Sequence, residues 1–99
     1  MSQCIFGRHA KADMREIRRY VAKDNPPAAR RLIDRLKEKC RLLGDFPELG
    51  ERCDELATSL RCFNVGSYML FYRPVPNGIE AARVIRGGRD LTALFQQGP

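Results

Sequence analysis

The sequence predicts an α+β domain in which a short N-terminal strand and an antiparallel helix hairpin pack on a small C-terminal antiparallel β-sheet. Two observations support this fold class. In the first half of the chain, apolar residues recur every three or four positions, the spacing of an amphipathic helix. The second half is rich in aromatic and β-branched residues and contains an Asn77-Gly78 pair typical of hairpin turns. A chain of 99 residues has room for one compact core, so residues 1–99 are expected to form a single domain.

The helical half follows residues 4–6, a short apolar run that predicts a brief strand. The first helix then carries lysine and arginine opposite its apolar stripe, as an amphipathic helix does. The stripe consists of Ala10, Met14, Ile17 and Val21. Asp13 and Glu16 place negative charge in the early turns, where the helix dipole favours it.

The second helix has start and stop signals in the sequence. Asn25 is a favourable N-cap, and Pro26 suits the first helical position. Gly44, with Pro47 shortly beyond it, is expected to end the helix. The apolar stripe consists of Ala28, Ala29, Leu32, Ile33, Leu36, Cys40 and Leu43. Because the link at residues 23–25 is short, the helices must fold back as an antiparallel hairpin, and the sheet must cover their shared apolar face.

The second half predicts a β-meander of three strands. They are Ser59–Val65, Ser67–Arg73 and Ile79–Arg86. Side chains alternate between the two faces of a strand, so one face is expected to pack on the helices and the other to be available for binding. Residues 51–58 are compatible with coil or a short strand, and residues 91–95 with an edge segment or a helical turn.

The charge of the chain is positive and uneven. Lysine and arginine number 18 against 12 aspartates and glutamates, a net charge of +6, and residues 1–50 hold 12 of the basic and 7 of the acidic residues. A positive field speeds association with acidic proteins or nucleic acid without selecting between them. The ordinary interpretation, a solvated helix face, accounts for most of these side chains.

The four cysteines indicate free thiols in a reducing cytoplasm. They are Cys4, Cys40, Cys53 and Cys62. The sequence has no Cys-x-x-Cys pair and one histidine, so no metal site is expected. Cys40 and Cys62 fall on apolar positions and are interpreted as core residues. No signal peptide and no apolar run of membrane-spanning length is recognised, so a cytoplasmic location without membrane contact is expected.

The candidate functional residues are cations of the predicted sheet, which we assign to partner binding. They are Arg61, Arg73, Arg83, Arg86 and Arg89. An ordinary solvated strand arginine is the alternative for each of them. Cleavage of RNA would also require a general base and a general acid. Tyr68 and Tyr72 are possible acids, but the sheet has no histidine and His9 is distant in sequence. Glu80 and Asp90 are interpreted as structural, so no catalytic residue and no cofactor are expected.

Several short motifs occur together in a characteristic order. They are Asp13-Met14, Ile17 and Tyr20-Val21-Ala22, then Asn25-Pro26 and Ala29, then Pro47 and Gly50, then Leu60-Arg61, Val65-Gly66, Tyr68 and Phe71-Tyr72-Arg73, and finally Arg83-Val84-Ile85 and Gly88-Arg89-Asp90. Their order and spacing resemble the ParE branch of the RelE/ParE toxin superfamily over nearly the whole chain. The resemblance implies a RelE/ParE-like fold and the toxin of a bacterial type II toxin-antitoxin module.

The resemblance also implies partners. ParE-like toxins are thought to inhibit DNA gyrase and to be neutralised by a ParD-like antitoxin. The expected assembly is therefore a hetero-oligomer, 2:2 or larger, with gyrase as the target and nucleic acid contacted only indirectly. The RelE branch instead cleaves messenger RNA on the ribosome.

One position separates the two branches. RelE-like ribonucleases usually carry an arginine directly after the tyrosine that begins the strand, and this chain has Met69 there. A methionine cannot neutralise a phosphate, so the departure favours the ParE interpretation. Arg89 matches an arginine of both branches and does not discriminate. A toxin fold that has lost its lethal activity and retains antitoxin binding is a third hypothesis.

Overall fold

The computed structural model describes residues 3–87, which form two helices and a sheet of five strands. In chain order the elements are β1 (Gln3–Phe6), α1 (Arg8–Ala22), α2 (Pro26–Asp45), a 3-10 turn (Pro47–Leu49), β2 (Glu51–Arg52), β3 (Arg61–Val65), β4 (Tyr68–Val75) and β5 (Gly78–Arg86). The α+β fold class and its order of elements are confirmed. The predicted segment at residues 91–95 lies outside the described residues.

The strands are ordered β1-β5-β4-β3-β2 across the sheet. The meander β3-β4-β5 is antiparallel, as predicted, and β2 adds a short antiparallel edge to β3. The N-terminal strand lies at the other edge and runs parallel to β5, with Gln3 opposite Gly78 and Phe6 opposite Ala81. The sheet is therefore mixed, because the N-terminal strand joins the end of the meander.

The second helix, α2, begins where the sequence predicts and continues past its predicted end. The side chain of Asn25 accepts a hydrogen bond from the Ala28 N–H at 3.1 Å, which caps α2. Gly44 was expected to end α2, but this prediction is wrong, because the helix continues to Asp45. Glycine is needed at this point for space: a Cβ on Gly44 would lie 2.8 Å from the carbonyl oxygen of Gln3. The close approach of α2 to β1 therefore explains this glycine.

Two apolar cores lie on opposite faces of the sheet. The larger core joins the helices to the sheet and includes Met14, Leu36, Leu43, Leu70, Tyr72, Ile79 and Val84. A smaller core on the outer face contains Cys53, Leu60, Cys62, Phe71 and Ile85. Leu56 and Ala57, from the segment between β2 and β3, pack against this second core. The expectation that the outer face is available for binding is therefore wrong where residues 53–60 cover it.

The cysteines form two pairs. Cys4 of β1 and Cys40 of α2 are joined by a disulfide with a Cα–Cα distance of 5.8 Å. The expectation of four free thiols is wrong for these two residues, because folding brings together positions that are 36 apart in sequence. Cys53 and Cys62 are free and buried. The predicted burial of Cys40 and Cys62 is confirmed.

Two features that bear on function do not occur in residues 3–87. No helix within that range has the length and apolar character needed to cross a membrane. In the same residues, no three His, Cys, Asp or Glu side chains come together as a metal site would require.

Gly44→Ala is expected to lower the free energy of unfolding by up to about 2 kcal/mol. The overpacking against β1 costs about 1–3 kcal/mol, and a gain of about 1 kcal/mol in helix propensity offsets part of this cost. Urea denaturation measures the change. Gly87→Ala is the control, since its Cβ would meet the Ser67 carbonyl oxygen at an ordinary 3.5 Å. A Gly44→Ala variant as stable as the parent would contradict this account.

Candidate partner-binding groove

A groove of about 550 Å³ lies between the second half of α1 and the sheet. Its lining consists of Glu16, Ile17, Arg19 and Tyr20 from α1, Lys23 directly after α1, Tyr68 from β4 and Arg86 from β5. Tyr68 and Arg86 come together because they are paired at the end of the β4-β5 ladder. Residues three or four apart share one side of a helix, which brings Glu16, Tyr20 and Lys23 to the same surface.

The groove combines apolar surface with positive charge. Ile17 and Tyr68 are half-buried, whereas Tyr20 is 61% exposed. Three cations, Arg19, Lys23 and Arg86, face one carboxylate, Glu16, so the lining carries a net charge of +2. An exposed aromatic side chain surrounded by cations suits a partner segment that offers both apolar and acidic residues.

The sequence prediction missed the helical part of this groove. It assigned Arg86 to partner binding but treated the basic residues of α1 as a solvated helix face. Tyr20 could have indicated the helical part of the groove, because a tyrosine three positions after Ile17 extends the apolar side of α1 towards its exposed end. Binding surfaces are enriched in such exposed aromatic residues.

Arg83 is an ion-pair partner of the helix hairpin. Its Nε donates to Oδ2 of Asp13 at 2.8 Å and its Nη2 donates to Oδ1 at 3.1 Å. The same carboxylate accepts a hydrogen bond from the Val84 N–H at 2.9 Å. The hydrogen bond to Asp13 raises the pKa of Arg83 above its ordinary value. Strand β1 pairs with β5 only as far as Ala81. Beyond that point, the Asp13 carboxylate accepts the hydrogen bond of the Val84 N–H, which β1 does not reach.

Arg61 and Tyr72 hold the chain that connects α2 to β2. Arg61 donates from Nη1 to the Gly50 carbonyl oxygen at 2.7 Å. The hydroxyl of Tyr72 donates to the Pro47 carbonyl oxygen at 2.6 Å and accepts from the Gly50 N–H at 2.9 Å. Burial raises the pKa of Tyr72. Both side chains therefore fasten the 3-10 turn to the sheet.

The predicted arginines do not form one surface. Arg73 makes a long hydrogen bond of 3.4 Å to the Thr58 carbonyl oxygen, away from the groove residues. Arg86 is exposed and lines the groove. Arg89 lies outside the described residues. Of the four described arginines, Arg61 and Arg83 hold the fold together, and Arg86 is the one in the groove.

Two groups that could transfer protons, His9 and Tyr72, do not line the groove. His9 is exposed at the start of α1, eleven residues before Tyr20, which at 1.5 Å per residue is about 16 Å along the helix. The Tyr72 hydroxyl is buried and makes two backbone hydrogen bonds. Met69, which follows Tyr68 in β4, packs against the outer core.

The described residues form a small α+β domain in which a basic helix hairpin and a partly apolar groove lie beside a β-meander. Residues 5–91 match the family model described as the ParE toxin of the type II toxin-antitoxin system, parDE. The chain belongs to this family and is a type II toxin-antitoxin toxin. The predicted resemblance to the RelE/ParE superfamily is confirmed.

The chain is also similar to a named toxin and to a solved structure. Toxin RelE3 of Caulobacter vibrioides is 29% identical over 85 residues, which cover 85% of this chain and 92% of the relative. A solved structure titled as the chromosomal ParDE TA system from P. aeruginosa is similar with a TM-score of 0.71 and 20% identity. The match covers 87% of this chain and 96% of the chain in that structure. At that identity, the structural match supports the fold alone.

Arg83→Ala is expected to lower the free energy of unfolding by about 1–3 kcal/mol, because Asp13 is left without its charged partner. Arg86→Ala, three positions away on the same strand, is the matched control and is expected to change it by less than about 0.5 kcal/mol. The coupling free energy between Asp13 and Arg83 is measured by urea denaturation of Arg83→Ala, Asp13→Asn and the Asp13→Asn/Arg83→Ala double variant. Arg86→Ala is measured in the same way. Additive effects of the Asp13 and Arg83 substitutions would disprove the ion pair's contribution.

Proposed function

We propose that this toxin inhibits DNA gyrase by binding to it, without catalysing a reaction, and that a ParD-like antitoxin neutralises it in a cytoplasmic hetero-oligomer. The observation that carries the proposal is the lining of the groove, which combines three cations and an exposed tyrosine and contains no histidine. Cleavage of RNA through the 2′-hydroxyl needs a base, an acid and a phosphate-binding cation close together.

The groove supplies cations but no histidine that could transfer a proton. Arg19, Lys23 and Arg86 line it, but the histidine of the chain is about 16 Å from Tyr20 along α1. Glu16 is the carboxylate of the lining. In RelE-like enzymes an arginine usually follows the strand tyrosine, whereas Met69 occupies that position and packs against the outer core. Binding through charge and apolar contact is the chemistry that this set of residues supports best.

The second candidate function is ribosome-dependent cleavage of messenger RNA. The relative named Toxin RelE3 favours it. The pairing of Tyr68 with Arg86 also places a phenol beside a guanidinium in the groove, where they could serve as acid and phosphate ligand. On this hypothesis Glu16 would have to act as the base, since it is the carboxylate near them.

The two functions predict opposite results in a pair of assays with the purified chain. If it is a gyrase inhibitor, it suppresses supercoiling of relaxed plasmid by gyrase and leaves ribosome-bound messenger RNA intact. If it is a ribonuclease, it cuts the messenger and gyrase continues to turn over. Glu16→Gln and Tyr68→Phe serve as discriminating variants, because both should abolish cleavage while gyrase inhibition through binding should persist. Activity in neither assay would support a toxin fold that retains antitoxin binding alone.

The groove is the proposed docking site of the antitoxin. Its net charge of +2 and its apolar lining match an acidic amphipathic segment that folds on binding. Tyr20 is the expected anchor because it is the aromatic side chain most exposed to a partner there. We expect one antitoxin segment in each toxin groove, which is compatible with a 2:2 or larger assembly.

Reversing two charges of the groove, in the Arg19→Glu/Lys23→Glu variant, is expected to weaken antitoxin binding about 100-fold, because like charges then face each other across the interface. Isothermal calorimetry with the cognate antitoxin measures the affinity. The control is Arg31→Glu/Arg41→Glu, which makes the same change in net charge on exposed positions of α2 outside the groove. Equal losses for both pairs would indicate a long-range field instead of docking in the groove.

A further inference from the structure

Both edges of the sheet carry a pair of cysteines. At the β1 edge, the disulfide of Cys4 and Cys40 ties the strand to α2. At the β2 edge, the sulfur atoms of Cys53 and Cys62 lie 2.7 Å apart as free thiols. A disulfide bond is about 2.05 Å long, so the second pair is about 0.65 Å from bonding distance.

The backbone holds this second pair in register. Cys53 directly follows β2, and its N–H donates to the Leu60 carbonyl oxygen at 2.8 Å, which continues the ladder that pairs Glu51 with Cys62. Cys53 therefore lies opposite Leu60, two positions before Cys62. The side chains of Cys53 and Cys62 both point to the outer face of the sheet. The two sulfurs are in contact there because diagonal neighbours on one face of a twisted ladder approach each other.

We propose that Cys53 and Cys62 are a redox modification site, oxidised to a disulfide by a small-molecule disulfide such as oxidised glutathione. The sulfur of Cys53 attacks one sulfur of the oxidant, which releases the first small-molecule thiol and leaves a mixed disulfide on Cys53. The sulfur of Cys62 then attacks Cys53, and its proton goes to the second departing thiol. Two protein thiols are oxidised and one small-molecule disulfide is reduced to two thiols.

The surroundings of the pair make its oxidation slow at neutral pH. Each residue is 7% exposed, under Leu56 and Ala57. Burial, with the hydrogen bond from Cys53 next in importance, raises the pKa of Cys62 to about 12. Since the thiolate is the attacking species, the closing step is expected to accelerate as the pH rises towards that value. The pair therefore responds to sustained oxidation and not to brief exposure.

The disulfide would fix the cover of the outer core. Strand β2 has two residues, and the segment 53–60 that follows it is closed by hydrogen bonds of its own, including those from the Leu56 and Ala57 N–H groups to the Cys53 carbonyl oxygen. Opening of this segment exposes Phe71 and Ile85, which it covers together with Cys62. A covalent bond from Cys53 to Cys62 closes the segment at both ends, so oxidation is expected to suppress that opening.

The test starts from the fully reduced chain, incubated with oxidised glutathione and then digested with trypsin under non-reducing conditions. We expect peptide 53–61 to be joined to the peptide that begins at Cys62. The disulfide of Cys4 and Cys40 forms in the same incubation, gives different peptides and serves as the internal standard. Oxidation should also raise the melting temperature by about 5–10 °C and slow amide exchange in residues 53–60 about tenfold.

Two variants keep the outcome unambiguous. Cys53→Ser should remove the joined peptide and the slower exchange, whereas the Cys4→Ser/Cys40→Ser variant should retain both. The wild-type peptide map decides the question even if a variant does not fold. Two free thiols at residues 53 and 62 after the Cys4–Cys40 bond has re-formed completely would overturn the proposal. Stable glutathione adducts on either residue, without a joined peptide, would overturn it as well.

Discussion

The parallel pairing of β1 with β5 is the contact on which the rest of the structure depends. It joins residues 3–6 to residues 78–81, near the two ends of the described chain. Gly78 makes the pairing possible, because its φ of 153° is rarely adopted by other residues and a Cβ there would collide with the Gln3 backbone. Since α1 begins two residues after β1, this pairing also decides where α1 crosses the sheet.

The position of α1 explains the contacts that follow. Asp13 reaches β5 just beyond the end of β1 and binds Val84 and Arg83. At the end of α1, Tyr20 and the following Lys23 form the groove with Arg86, at the end of the β4-β5 ladder. The groove is thus a consequence of how β1 directs α1, and its shape depends on a strand pair distant from it.

The sequence predicted the parts of this fold that local chemistry decides. The Asn25 cap, the spacing of apolar residues in both helices and the Asn77-Gly78 turn act within a few residues, and each was found where predicted. The parallel partner of β1 and the disulfide partner of Cys4 depend on contacts between distant residues and leave no periodic signal. Gly44 illustrates the difference, because a glycine near a helix end predicts a stop, whereas here it accommodates the backbone of Gln3.

The candidate site was harder to predict for a related reason. Arginine in a strand suggests a functional cation, but a strand in a small domain has helices and connecting segments close to both faces. Arg61 and Arg83 therefore find partners within the fold, at Gly50 and Asp13. The basic residues of α1 lie on a helix face that the hairpin leaves uncovered, so Arg19 and Lys23 remain exposed at the groove. Among the sheet arginines of residues 3–87, Arg61 and Arg83 hold the scaffold. Arg86 joins Arg19 and Lys23 at the surface that a partner can reach.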